Sequence, residues 1–252
     1  MLLTGKSRVG LSTIARHIAQ LRGTIPMIIL PEKDDKIDLD KGVIGVDAMR
    51  RLYSDTRTKA VGDRIIIIDY AQRMTHQAQN AFLKLLEEPG EGVYFILVSD
   101  SASKLLPTII SRVEILEIKP ATTEQSKSLL DLLGLDDEKK RSQLLFMADG
   151  LPAELTRLFN DEVYFDERSV MVRDARELLR SSLYQKLLIA QRYKDNRPGA
   201  LILLLDAANI LKKSIVANPN ADTISHIDKL LRAYQRIEAN GNIRICLAQM
   251  VI

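Results

Sequence analysis

The sequence predicts an α/β protein in which a doubly wound parallel sheet is followed by helices alone. Strand and helix patterns alternate through residues 1–119, as expected when helices cover both faces of a sheet. Within that region RIIIID (64–69) is almost entirely β-branched, which is typical of a strand buried on both faces. From Pro120 onward only helical patterns occur. The sequence therefore predicts three domains: an α/β core at 1–119, a three-helix domain at 120–164 and a longer helical domain at 165–252.

The elements of the first domain follow from aliphatic runs and from capping signals. Strands are predicted at the aliphatic runs 2–3, 27–30, 64–69, 93–99 and 114–118. A helix at 12–21 would place Ile14, Ile18 and Leu21 on its core face, and Gly23 would end it. Two further helices begin at capping residues: Asp47 before Met49 and Leu52, and Thr75 before Ala78, Phe82, Leu85 and Leu86, with Pro89 ending the second.

The helical regions carry equally plain boundary signals. Thr122 and Gln125 form a capping box, Gly134 ends that helix, a second helix ends near Gly150, and Pro152 starts a third. Four longer helices are predicted near 166–194, 198–217, 222–239 and 242–252. In the second of these, apolar residues at helical spacing predict an internal core: Leu201, Leu204, Leu205, Ala208 and Leu211.

Composition and charge exclude several classes of protein. Hydrophobic residues at 46% and charged residues at 27% are ordinary for a globular protein and do not suggest disorder. No secretory signal or membrane span is visible, so a cytoplasmic protein is expected. The single Cys246 excludes an internal disulfide and any multi-cysteine metal site, and its apolar neighbours favour a buried packing role. The net charge of +3 is concentrated at 165–252, with 14 Lys+Arg against 9 Asp+Glu, which by itself does not establish nucleic-acid binding.

The stretch GKSRVGLST (5–13) has the outline of a phosphate-binding loop without its lysine. The pattern G-x-x-x-x-G-K-[ST] is met by Gly5, Gly10 and Ser12, followed by Thr13, but Leu11 stands at the lysine position. Loss of that charge removes an interaction worth about 1.5–3 kcal/mol, so tight ATP binding is not expected. Taken alone, these residues favour a simple strand-to-helix turn over a phosphate-binding loop.

Two basic residues inside the loop leave an alternative open. Lys6 or Arg8 could replace the missing lysine at a phosphate. Solvated surface charges are the favoured interpretation, because Arg8 would crowd the phosphate cradle where a small residue is expected.

A second stretch, IIIIDYAQ, also keeps one residue expected in an ATPase site and lacks another. Asp69 ends a strand where an ATPase of this kind places its magnesium-orienting aspartate, but Tyr70 follows where a water-polarising glutamate would stand. A phenol, with an ordinary pKa of about 10, is a poor base near neutrality. Two independent losses favour a nucleotide site that has gone out of use, and the degenerate remnants are Gly5, Gly10, Ser12, Thr13 and Asp69.

Three longer stretches resemble the AAA+ module of bacterial DNA polymerase III clamp-loader subunits. They are IGVDAMRRL (44–52), RIIIIDYAQRMTHQAQNAFLKLLEEPGEGVYFILVSD (64–100) and SKLLPTIISRV (103–113). The three-part layout is also similar, with an AAA+ core, a helical lid and a C-terminal collar, so the resemblance covers essentially the whole chain. The degenerate loop makes the chain more similar to the delta-prime type of subunit than to the ATP-hydrolysing gamma/tau type.

The resemblance implies a role for one arginine. In this family a serine-arginine-cysteine motif supplies an arginine finger to ATP held by the neighbouring subunit, and Ser111, Arg112 and Val113 stand at that motif. Arginine fingers are worth roughly 10³–10⁵ in rate in related NTPases. The alternative is that Arg112 only pairs with a surface carboxylate.

Further departures and implications concern the lid, the metal and the collar. Ala153 in ADGLPAEL (148–155) stands about where relatives have an arginine that contacts the γ-phosphate. The four-cysteine zinc module common in bacterial relatives is also missing, so no bound metal is expected. The chain starts almost at the first strand, which implies either an upstream start or an open purine pocket. Leu230, Tyr234, Ile237 and the tail 243–252 are candidates for contact with sister subunits.

The resemblance therefore implies a delta-prime-like subunit that hydrolyses no ATP of its own. It would bind no cofactor tightly and would act on ATP and magnesium in the neighbouring site. Its expected partners are gamma/tau-type and delta-type subunits and, through the assembled ring, primed DNA, with no membrane. The alternatives are a divergent gamma/tau-like ATPase using Lys6 or Arg8, and a DNA-associated scaffold with an inherited fold.

Overall fold

A computed structural model describes residues 1–39, 41–57, 62–217 and 221–251 of the chain. It divides into two compact units, Met1–Thr156 and Arg157–Ile252. The predicted boundary near 119 lies inside the first unit and the one near 164 inside the second, so the three-domain division stays a prediction.

The first unit contains the predicted alternation of strands and helices. Its strands are β1 (Leu2–Gly5), β2 (Met27–Ile29), β3 (Glu32–Lys33), β4 (Lys36–Ile37), β5 (Arg64–Ile68), β6 (Val93–Ser99) and β7 (Ile115–Ile118). Its helices are α1 (Leu11–Leu21), α2 (Val46–Arg57), α3 (His76–Glu87), α4 (Pro107–Ile110), α5 (Thr123–Leu132) and α6 (Glu138–Ala148), and the division between the units falls within α7 (Pro152–Asn160).

Five of these strands form one parallel sheet in the order β2-β5-β6-β1-β7, while β3 and β4 form a separate antiparallel pair. Successive residues of β5 point to opposite faces, so Ile65 and Ile67 pack with α1 while Ile66 and Ile68 pack with α2 and α3. All four are buried. The prediction of a parallel sheet covered on both faces is confirmed.

Most of the predicted helix boundaries are confirmed by their caps. Thr75 Oγ1 accepts a hydrogen bond from the Ala78 amide at 3.1 Å, and Thr122 and Gln125 form the reciprocal capping box. Asp47 is a correction: it lies inside α2, where its carboxylate pairs with Arg50, and does not cap the helix.

The core face of α1 is a second correction. The buried residues are Leu11, Ala15 and Ala19, spaced four apart, whereas Leu21 is exposed. Ile14 and Ile18 lie at the edge of this face and are only partly buried. The prediction followed the large aliphatic side chains, whereas two of the three residues that face the sheet are alanines.

The described residues of the second unit form helices and no strands. They are α8 (Glu162–Arg180), α9 (Leu183–Arg192), α10 (Arg197–Ala217), α11 (Ala221–Glu238) and α12 (Ile243–Val251). The single helix predicted at 166–194 is wrong: Ser181 and Ser182 have extended backbone and separate α8 from α9. The predicted helix 242–252 ends at Ile252, which lies outside the described residues.

The core of this unit settles several packing predictions. Leu204 and Cys246 are buried as predicted, whereas Leu205 is 44% exposed. Partly buried against the same core are Leu201, Ala208 and Leu211. Five residues predicted to face sister subunits are instead buried in the unit's own core, so that prediction is wrong for them: Leu230, Ile237 and, in the tail, Ile243, Cys246 and Leu247. Across the described ranges, no helix is long and apolar enough to cross a membrane.

Candidate functional site

The loop after β1 lies at the carboxyl end of the parallel sheet, and its glycines have structural reasons to be there. A Cβ on Gly5 would come within 2.4 Å of the Ile118 carbonyl oxygen on β7, so the close approach of β1 and β7 requires glycine. Gly10 has φ 96°, a left-handed conformation that favours glycine, and it immediately precedes α1. Both glycines are therefore explained by the strand-loop-helix junction without a bound phosphate.

Two of the predicted remnants meet directly. Ser12 Oγ donates to Asp69 Oδ1 at 2.9 Å, and the same carboxylate oxygen accepts from the Tyr70 amide at 3.0 Å. Asp69 is buried at the end of β5, and Tyr70 has φ 55°, an unusual conformation for a bulky residue. The hydroxyl and the carboxylate that a magnesium site would use are thus joined to each other. Thr13, the remaining remnant, is exposed.

Leu11 at the lysine position is part of the hydrophobic core. Only 7% of its surface is exposed, and it belongs to the buried cluster that contains Leu3, Val9 and Ala15. Leu151, just before α7, packs against the same cluster. The position that a phosphate-binding lysine would occupy is therefore held by a core leucine.

Arg8 does not behave as the solvated surface charge that the sequence favoured. Its Nη1 contacts Glu154 Oε2 at 2.6 Å, and its backbone carbonyl accepts a hydrogen bond from the Ala153 amide at 3.2 Å. The Glu154 side chain is 4% exposed and that of Arg8 43% exposed. The favoured interpretation was wrong for Arg8, because a buried carboxylate needs a cationic partner. Lys6 is exposed.

These contacts join the loop to the first turn of α7. Ala153 was predicted to stand where a γ-phosphate contact is missing, and its amide instead bonds to the loop. The α7 terminus has further amide donors that need acceptors, and the Arg8 carbonyl satisfies one of them. Loop and lid are therefore held together by the protein's own charge pair and hydrogen bond.

The second predicted site surrounds Arg112, just after α4. Pro107 begins this short helix, and Ser111 and Arg112 follow its last residue. Arg112 Nη2 lies 2.9 Å from Glu87 Oε1 at the end of α3, and its Nη1 donates to the Thr108 carbonyl at 3.1 Å. The guanidinium side chain is 41% exposed. Ser111 donates to the Thr108 carbonyl at 3.1 Å and lies 3.4 Å from Arg112 Nη1.

Sequence reasoning missed Gln79, which fixes the segment leading into α4. Its side-chain amide is buried, donates to the Met74 and Lys104 carbonyls at 3.2 Å each, and accepts from the Leu106 amide at 2.7 Å. A polar residue one position after Ala78 on the core face of α3 was the available signal. Buried amides of this kind must be hydrogen-bonded, so Gln79 ties α3 to the segment before Arg112.

The described residues contain no cluster of three or more His, Cys, Asp or Glu side chains suited to a metal ion. The two sites therefore consist of a loop joined to its lid and an arginine held at the end of a short helix.

Comparison with known proteins agrees with this architecture. Residues 23–122 match the family model described as DNA polymerase III, delta subunit. DNA polymerase III subunit delta' of Haemophilus influenzae is 40% identical over 74 residues, 29% of this chain and 23% of that protein. The Pseudomonas aeruginosa subunit of the same name is 30% identical over 166 residues, 64% of this chain and 48% of that protein. The matched parts thus span less than half of these relatives.

Among solved structures, a gamma subunit-related protein of DNA polymerase III from Thermotoga maritima has a similar fold. The TM-score is 0.59 at 18% identity, and the match covers 100% of this chain and 92% of that chain. Together with the parallel sheet and the helical C-terminal region, this match defines the chain as a protein of the AAA+ fold class.

Within that class, the relatives it resembles include the delta-prime subunits of DNA polymerase III, a family that serves DNA replication. The resemblance predicted from the three long motifs is confirmed, and the match of residues 23–122 includes all three of them.

Proposed function

We propose that this chain is a non-hydrolysing, delta-prime-like clamp-loader subunit that supplies Arg112 to ATP bound by a neighbouring subunit. The observation that carries the proposal is the contrast between its two sites. The loop that would hold its own triphosphate is joined to the lid by Arg8 and the buried Glu154, whereas Arg112 pairs at the surface with the half-exposed carboxylate of Glu87.

The non-hydrolysing part of the proposal is supported by four side chains. Leu11 is buried in the core and carries no charge for a phosphate. Ser12 and Asp69 bond to each other. Tyr70 cannot polarise water as a carboxylate would, because its neutral phenol is a weak base at pH 7. A triphosphate would have to displace internal contacts and would gain little charge compensation in return.

The trans-acting part is supported by the chemistry and place of Arg112. A guanidinium stays protonated and presents several N–H donors in one plane, which suits it to a transferring phosphoryl group. Its side chain lies at a helix end and is 41% exposed, so a neighbouring subunit can approach it. The partners in this proposal are gamma/tau-type and delta-type subunits, with primed DNA bound by the assembled ring and ATP with magnesium in the neighbouring site.

Reconstitution with gamma/tau-type and delta-type subunits tests the arginine. Arg112→Ala should lower DNA-stimulated turnover at the site it serves by roughly 10³-fold or more, by analogy with other arginine fingers. The complex should still assemble on gel filtration, and Arg16→Ala, on the exposed side of α1, should leave turnover unchanged. Wild-type turnover by the Arg112→Ala complex would contradict the proposal.

Nucleotide titration tests the competing interpretation, an ATPase that uses Lys6 or Arg8. A ligand that binds only the folded protein raises its stability by RT ln(1 + [L]/Kd), about 2.7 kcal/mol at a hundredfold excess over Kd. Under the present proposal, millimolar ATP with magnesium leaves the unfolding midpoint of the isolated chain unchanged. A clear stabilisation accompanied by ATP turnover would favour the ATPase.

A further inference from the structure

We infer that Glu87 is a positioning residue for Arg112, holding the guanidinium in the orientation that faces a neighbouring subunit's phosphates. This inference rests on the proposed function and extends it to a residue on a different helix. The last residue of α3 is Glu87, and Arg112 follows the end of α4, so the contact joins two helix ends that the chain separates by more than twenty residues.

The guanidinium is held from two sides. Glu87 Oε1 lies 2.9 Å from Nη2, while the Thr108 carbonyl accepts from Nη1 at 3.1 Å. Ser111 Oγ, 3.4 Å from Nη1, lies beside the same nitrogen. Two acceptors on different nitrogens fix the plane of the group, whereas the Thr108 carbonyl alone would leave it free to rotate about its contact.

The N–H donors of Arg112 that Glu87, Thr108 and Ser111 leave open can bind a phosphate of a neighbouring subunit. A guanidinium has five N–H donors, and Glu87, Thr108 and Ser111 engage Nη1 and one donor on Nη2. Among the described residues, Nε and the second donor of Nη2 contact no acceptor. Nε and Nη2 thus each keep an N–H in the plane of the group for an oxyanion, the type of ligand that a guanidinium binds with several donors at once.

The helices that carry these groups are themselves fixed. Gln79 on α3 bonds to the Lys104 carbonyl and the Leu106 amide, so the segment entering α4 is tied to the helix that carries Glu87. The Leu105 and Ile109 side chains next to it are buried in the same hydrophobic cluster as Phe82 and Leu85 of α3. The geometry of the Glu87–Arg112 pair therefore follows from packing, and only the side chains themselves are exposed.

The size of the effect is limited by solvent. Both side chains are about half exposed, 52% for Glu87 and 41% for Arg112, so the pair is screened by water and salt. A preorganised guanidinium needs less ordering when the phosphoryl group develops charge, which raises turnover more than it raises nucleotide binding. We expect a contribution of about two- to fivefold in turnover, in line with exposed ion pairs.

The test uses the reconstituted complex and three variants at the end of α3. Glu87→Ala should lower kcat of DNA-stimulated ATP hydrolysis about two- to fivefold, with the KM for ATP unchanged. Glu87→Gln, which keeps an oxygen acceptor without the charge, should show a smaller loss. Glu88→Ala, the exposed neighbouring carboxylate, is the matched control and should turn over as wild type.

A double variant separates positioning from a general effect on the surface charge. In an Arg112→Ala background, Glu87→Ala should cause no further loss, because a positioning residue acts only through the group it positions. Equal losses in both backgrounds would overturn the inference. So would a lower KM without a fall in kcat, which would mark Glu87 as an anion that merely repels the phosphates.

The same set of variants distinguishes this inference from the proposed function. If Arg112→Ala turns over as wild type, the arginine finger itself is wrong. If Arg112→Ala is strongly impaired while Glu87→Ala matches wild type, the finger stands and the positioning role of Glu87 is wrong.

Discussion

Leu11 shows at the scale of one residue why a loop can keep its shape while losing its charge. The first turn of α1 packs against the sheet, and a side chain at this position reaches either toward the loop or into the core cluster with Leu3 and Val9. In this chain it is 7% exposed. Gly5 and Gly10 are required by the backbone conformation, and Leu11, at the lysine position, packs in the core.

Truncating Leu11 should therefore destabilise the protein as a core substitution does. Leu11→Ala is expected to cost about 2–4 kcal/mol in the free energy of unfolding, from lost burial and the cavity left behind. Thr13→Ala, two residues further along α1 and exposed, should change it by less than about 0.5 kcal/mol. Urea unfolding followed by circular dichroism measures both. Equal stabilities would show that Leu11 is not part of the core.

Arg8 and Glu154 offer a second test at this scale. Arg8→Ala leaves the buried Glu154 carboxylate without this cation, at an expected cost of about 1–3 kcal/mol, reduced by the exposure of the arginine side. Arg8 also has φ 67°, a strained conformation for any residue but glycine. Arg8→Gly should thus be less destabilising than Arg8→Ala by about 1 kcal/mol.

Urea unfolding midpoints of Arg8→Ala and Arg8→Gly test both effects, the charge pair and the backbone conformation. Lys6→Ala is the exposed control. An Arg8→Ala variant as stable as Lys6→Ala would mean that the charge pair does not hold the loop to the lid. A glycine variant less stable than the alanine variant would show that the left-handed backbone is not maintained at this position.

At the scale of elements, the junction of β1 with β7 depends on a glycine that carries no side chain. Gly5→Ala places a Cβ 2.4 Å from the Ile118 carbonyl oxygen, a contact that only a backbone shift can relieve. The expected cost is about 1–3 kcal/mol, as for other overpacked sites. Gly45→Ala is the matched control, since nothing lies within 4 Å of its Cβ and it should be neutral or slightly stabilising.

Hydrogen exchange locates the Gly5 effect. Because β7 is at the edge of the sheet and, among the described strands, pairs with β1 alone, the amides of Ile115–Ile118 should lose protection in Gly5→Ala and not in Gly45→Ala. Unchanged protection along β7, with a global loss of stability, would mean that the clash is relieved elsewhere.

Elements with their own local signals could be predicted from the sequence, and elements set by packing could not. The Thr75 cap and the Thr122–Gln125 capping box involve side chains that hydrogen-bond within one turn, so the local sequence is enough to predict them. The core face of α1 depends on how closely the helix approaches the sheet. The break at Ser181–Ser182 depends on where α9 packs, and an uninterrupted helical pattern concealed it.

For the whole molecule, the sequence predicted the fold class and both sites but not the contacts between distant segments. Leu11 and Tyr70 stand out by residue type and spacing, and Arg112 stands out through the resemblance to the clamp-loader motif. The pairing of Arg8 with Glu154 joins residues 146 positions apart, and that of Arg112 with Glu87 joins two helix ends. No local pattern reports such pairs, because they depend on the arrangement of the sheet and helices.

The second unit carries a buried polar cluster that should make the stability of the protein depend on alkaline pH. Asp174 accepts a hydrogen bond from the Tyr193 hydroxyl at 2.9 Å and pairs with Arg192 at 2.6 Å. Burial, followed by the bond to Asp174, raises the pKa of Tyr193 well above its ordinary value. Burial also raises the pKa of Tyr234, so a second group contributes in the same direction.

A phenol whose pKa is higher in the folded than in the unfolded protein stabilises the fold only while it stays protonated. The contribution is complete below about pH 10, the ordinary tyrosine value, and is lost as the pH rises further. The free energy of unfolding should therefore fall above pH 10, by at most about 1.4 kcal/mol per pH unit for each such proton. In Tyr193→Phe the free energy of unfolding should fall less steeply above pH 10, and the remaining dependence on pH comes from Tyr234. Tyr184→Phe, on the exposed side of α9, should keep the wild-type slope. Urea unfolding between pH 8 and 11 measures the difference, and identical slopes for all three proteins would show that the Tyr193–Asp174 bond contributes nothing to the folded state.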